Sequence, residues 1–155
     1  MSEQLGVAKT VLFQAVELLD KHLTSDEQLT VHSKYLPGST IGKKLVHDRS
    51  DLQIHYDFDL GKHFRHARDH YTLLLDCMQS AAPRELSYDT RIRNTPMETS
   101  REGARVALLD TVKRLEELVP TTNFDEEITL HAITPHMHSF QTTIGREVSN
   151  SSFLV

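Results

Sequence analysis

Between Gly61 and Cys77 the chain places His63, His66 and His70 on one face of a 3.6-residue period, and that face continues into Leu73, Leu74 and Cys77. No other stretch limits the fold as tightly. An imidazole entering an apolar stripe must meet a hydrogen-bond partner or a metal, because an unpaired buried polar group costs roughly 1–3 kcal/mol. The rest of the chain has to supply those partners. Ten histidines in 155 residues favour metal or acid/base chemistry without locating it.

The length suits one domain that buries a core without disulfides. With 38% hydrophobic and 25% charged residues, the composition fits a soluble globular protein. A formal charge of −5 and the lack of a Lys/Arg block argue against nucleic acid as a partner. No apolar run approaches the roughly 18 residues of a membrane span, and the polar start Met1-Ser2-Glu3-Gln4 is no signal peptide, so no membrane partner is expected. The single cysteine, Cys77, cannot close an internal disulfide and points to a reducing, cytoplasmic setting.

Residues 6–23 carry Ala8, Val11, Leu12, Ala15, Leu18 and Leu19 at helical spacing. Thr24-Ser25-Asp26-Glu27 has capping-box spacing and predicts a short second helix to about His32, ended before Pro37-Gly38. Ser39-Thr40-Ile41-Gly42-Lys43 reads as another helix start, but residues 43–60 hold neither the helical nor the strand period. The helix from Gly61 runs to about Ser80 and is closed by Ala81-Ala82-Pro83. Residues 84–98 read as an ordered loop. Thr99-Ser100-Arg101-Glu102 opens a helix with the stripe Ala104, Leu108, Val112, Leu115 and Val119, ended by Pro120. Residues 128–133 alternate as a strand, and Met137 to Gln141 return as a hairpin. A last helix starts near Thr142-Thr143-Ile144-Gly145-Arg146, with a tail over 148–155 too short for a helix of normal length.

Three ordered blocks carry a resemblance. They are Ser39-Thr40-Ile41-Gly42 with Lys62-His63-Phe64-Arg65-His66-Ala67-Arg68-Asp69-His70-Tyr71, then Tyr88 to Glu98, then Thr142 to Glu147. Together they resemble the DinB/YfiT-like superfamily over most of the chain outside 43–60 and 148–155. The resemblance implies an all-α fold, an antiparallel four-helix bundle, here with a small β-hairpin and a truncated last helix. It also implies a divalent metal (zinc, nickel or iron) held by one His on the second helix and a His pair four residues apart on the last. His66 falls at the second-helix position, whereas the last-helix pair has no counterpart. Members include thiol-dependent S-transferases and isomerases, so metal-dependent transferase or hydrolase chemistry on a small-molecule substrate is implied, impaired by the missing ligands. The other class of function is a non-catalytic helical protein that binds a partner, a second copy included, through the seam the short helix leaves open. Segment 43–60 reads as an insertion and 148–155 as an aberrant tail. Both begin at codons that can spell a splice donor, so a translated intron and a genuine loop with a divergent tail stand as alternatives.

His66, His63 and His70 are thus the metal candidates, since neighbours at i, i+4 and i, i+7 can converge on one ion. Against this stands the plainer reading of hydrogen-bonded helix histidines. His131, His136 and His138 read as solvated. Tyr88, Arg91 and Arg93 can hold a carboxylate by charge-assisted bonds, unless Asp89 and Glu98 use the arginines to pin the loop. Cys77 reads as a packing residue, and no Ser/His/Asp pattern stands out.

Overall fold

The computed structural model describes residues 3–30, 60–90, 92–133 and 135–151. The first helix, α1 (Glu3–Lys21), buries Leu5, Ala8, Leu12, Val16 and Leu19. A 3₁₀ turn, Asp26–Leu29, follows. It is capped one residue later than the spacing predicts, with Gln28 Oε1 accepting from the Ser25 N–H at 3.0 Å. The predicted helix start at Ser39 and the segment 43–59 lie outside the described residues, as do the last four residues of the tail.

Helix α2 (Leu60–Gln79) ends where the Pro83 signal places it. Its buried face is centred on Phe64, Tyr71 and Leu75, and the histidines flank it half-buried. An imidazole at that boundary loses less hydration than one in the core. Gly61 sits where α2 meets a 3₁₀ turn, Pro96–Glu98. A Cβ there would lie 2.1 Å from the Glu98 carbonyl oxygen, so only glycine allows the approach.

Helix α3 (Arg101–Leu118) starts on Ser100, whose Oγ accepts from the Gly103 N–H at 3.1 Å. Asp26 adds an acceptor for the Arg101 N–H at 2.8 Å, a carboxylate at the positive end of the helix. The predicted stripe Ala104, Leu108, Val112, Leu115 and Val119 is buried throughout. Helix α3 packs against both α1 and α2, and a short α4 (Ile144–Ser151) touches the same two helices.

The all-α four-helix bundle is overturned by a three-stranded mixed sheet. Strand β1 (Glu85–Ser87) lies in what reads as a loop, and it pairs parallel with β2 (Glu127–Ile133) in the register Glu85 to Thr129 and Ser87 to His131. The predicted hairpin is present: β2 pairs antiparallel with β3 (Met137–Thr143). Strand β1 joins because Leu86 has a core to enter, 2% exposed, while the Arg84 carbonyl accepts from the Thr129 N–H at 3.0 Å. Strand β3 then runs straight into α4. Ile144, Glu147, Val148 and Ser151 of α4 are all buried, so the first residues of the predicted tail belong to the packed structure.

Candidate functional site

On α2, His66 and His70 lie one turn apart with ring centroids 4.8 Å from each other, edge to face at 73°. His63 is a turn earlier and half-buried. None of the three imidazoles is without a partner in the structure. The next ring after His70 is Tyr88, centroid to centroid 4.9 Å. Three rings in contact therefore run from α2 to the segment that follows β1.

Tyr88 faces inward, and this changes its assignment. Its hydroxyl donates to Glu147 Oε2 at 3.2 Å and lies 3.3 Å from Ser151 Oγ, both on α4. Thr142 of β3 donates to the other oxygen, Glu147 Oε1, at 2.8 Å. Burial pushes the Tyr88 hydroxyl well above the usual phenol range; the Ser151 bond opposes this and the Glu147 carboxylate adds to it. The phenol thus donates to α4. Arg93 is exposed, and Arg91 lies outside the described residues.

The loop is pinned by another arginine. Arg65, 7% exposed on α2, donates to the Ile92 carbonyl at 3.0 Å, while its Nε stands 3.5 Å from Glu98 Oε1 and its Nη1 3.8 Å from Asp69 Oδ2. Glu98 also accepts from the Thr95 N–H at 3.0 Å. Asp89 accepts from the Ile133 N–H at 2.9 Å. Both acidic residues do hold the loop, but through α2 and β2.

Two imidazoles one turn apart match half of a tetrahedral zinc shell. Among the described residues no group of three or more His, Cys, Asp or Glu side chains is placed to hold a metal ion. Cys77 is buried, and desolvation raises its thiol above the ordinary range against the pull of Arg84, as suits a packing residue. It lines a cavity of about 410 Å³ with Leu73, Leu86, Glu85 and His131.

His131 belongs to a constellation the sequence conceals. Its Nδ1 lies 3.0 Å from Ser139 Oγ on β3, and its Nε2 3.6 Å from Glu85 Oε2 on β1. A hydroxyl directly opposite the imidazole on β3 and a carboxylate diagonal to it on β1 thus flank the ring. His138 and His136 are exposed, and the His138 ring stands 6.2 Å from that of Phe140.

Among the described residues no helix is long and apolar enough to cross a membrane. No protein-family model, curated protein or solved structure matches this chain.

Proposed function

We propose that this chain is a divalent-metal-binding protein whose ligands are the His66 and His70 imidazoles, working in the cytoplasm. The observation that carries the reading is the His66–His70 contact at 4.8 Å, which puts two imidazoles one helical turn apart. The DinB-like sequence block adds support, since His66 stands at that family's second-helix ligand position. Tyr88 and Glu147 contribute by fixing the ring against which His70 rests, the kind of outer support that orients a ligand histidine. A bound ion would supply Lewis acidity toward a small-molecule substrate at its open positions. Since both imidazoles already have partners, an ion must use the remaining nitrogens or displace a contact.

Equilibrium dialysis against Zn(II) and Ni(II), with the bound metal quantified, tests this. About one equivalent on the intact chain, lost in both His66→Ala and His70→Ala and kept in His22→Ala, is expected. An intact chain that holds no metal, or His66→Ala binding as well as the parent, overturns it.

A further inference from the structure

We propose a second site, on the sheet and independent of the α2 histidines: an ester-cleaving centre in which Ser139 is the nucleophile, His131 its base and Glu85 the positioning carboxylate. The strand register builds it. The Thr129 N–H donates to the Arg84 carbonyl and the Ile133 N–H to Asp89 Oδ2, so the odd-numbered N–H groups of β2 point toward the β1 side. Alternation along an antiparallel ladder then makes His131 and Ser139 a non-hydrogen-bonded pair, the kind whose side chains approach most closely. The 3.0 Å contact from Ser139 Oγ to His131 Nδ1 is the result, and it lies within the reach required of a nucleophile and its base.

The other face of the imidazole completes the arrangement. For Nδ1 to accept from the serine the neutral ring must carry its proton on Nε2, the nitrogen that the 68% exposed Glu85 side chain faces at 3.6 Å, an ion-pair distance and not a hydrogen bond. The His131 side chain is 25% exposed, so it is shielded, whereas Ser139 is open to an incoming ester. The same alternation turns the Ser139 N–H to the outer side of β3, where it can donate to the oxyanion.

Ser139 Oγ bonds to the ester carbonyl carbon as its proton passes to His131 Nδ1. The ester C–O bond breaks, and the alcohol leaves with that proton. Water then attacks the acyl-serine, gives a proton to His131, and the serine recovers it as the carboxylic acid departs. The net reaction is ester plus water to acid plus alcohol. A cavity of about 410 Å³ lies beside the imidazole, lined by His131 and Glu85 with Leu73, Asp76, Cys77 and Leu86, and Ser139 is not part of its wall.

The test uses the full chain with p-nitrophenyl butyrate as substrate and a fluorophosphonate as covalent probe. A stoichiometric burst of nitrophenol and a phosphonyl mass on the Ser139 peptide are expected. Both are lost in Ser139→Ala with an unchanged circular dichroism spectrum, the rate falling about 100-fold or more. Glu85→Gln lowers kcat about tenfold with KM unchanged, as loss of a positioning group requires. Absence of both burst and label in the parent chain overturns the proposal. So does a Ser139→Ala rate equal to the parent's, which would mean hydrolysis by surface imidazoles alone. Neither readout depends on metal, so the outcome is separate from that for His66 and His70.

Discussion

The Tyr88 hydroxyl donates to Glu147 across 3.2 Å and joins the segment after β1 to α4. Glu147 is 2% exposed and Ser151 fully buried, so the bond is made out of water's reach. Removing the hydroxyl in Tyr88→Phe deprives a buried carboxylate of one of its donors. That costs about 1–3 kcal/mol, read as a lower urea midpoint with an unchanged m-value.

The same hydroxyl sets a limit at high pH. Its folded pKa lies above the unfolded value of roughly 10. A raised value means the folded chain holds the proton more tightly, so its stabilising contribution is whole below pH ~10 and is lost as the pH climbs from there toward the folded value. Between pH 9 and 12 the parent chain should therefore lose stability more steeply than Tyr88→Phe, as thermal melts across that range will show.

Arg65 stands between Glu98 and Asp69 with all three side chains nearly closed to solvent. Arg65→Met removes from a dry site the guanidinium beside Glu98 and one of the two beside Asp69. A loss of about 3–5 kcal/mol is expected, together with faster amide exchange at Thr95 and Glu98, whose loop the arginine ties to α2 through Ile92. A stability equal to the parent's would show that the arginine does not hold the loop.

Gly61→Ala places a methyl 2.1 Å from the Glu98 carbonyl. Because backbone lies on both sides of the contact, relief needs α2 and the Pro96–Glu98 turn to separate, at about 1–3 kcal/mol. The α1 glycine Gly6 has open space around it, so Gly6→Ala should instead leave the melting temperature unchanged or raise it.

What the sequence disclosed follows from the range over which each signal acts. Leu108, Leu115 and their neighbours repeat often enough to declare α3, and the His66–His70 contact follows from two residues one turn apart. Strand β1 has three residues and a partner far along the chain, so its alternation is too short to read. Glu98 was legible as a loop anchor, but Arg65 on another helix was not legible as its partner. Ile144, Glu147, Val148 and Ser151 do follow the i, i+3, i+4, i+7 rule. The signal was present, and two polar residues within it hid a buried face. Glu85, His131 and Ser139 come from three strands, and no spacing within one segment announces them.

The parallel pairing of β1 with β2 sets an order of events. Helix contacts within α1 or α3 are local and form early, whereas closing Glu85 onto Thr129 must enclose the whole of α3 and meets a loop-closure cost that local turns do not. The β1–β2 pairing therefore follows the turns of the individual helices, as the docking of α1 on α3 does. A nascent chain still short of residue 127 has its helical stripes but no neighbour for β1, and Glu85 and His131 are strangers in it. Their 3.6 Å approach therefore exists only once the chain has passed through α3 and reached β2.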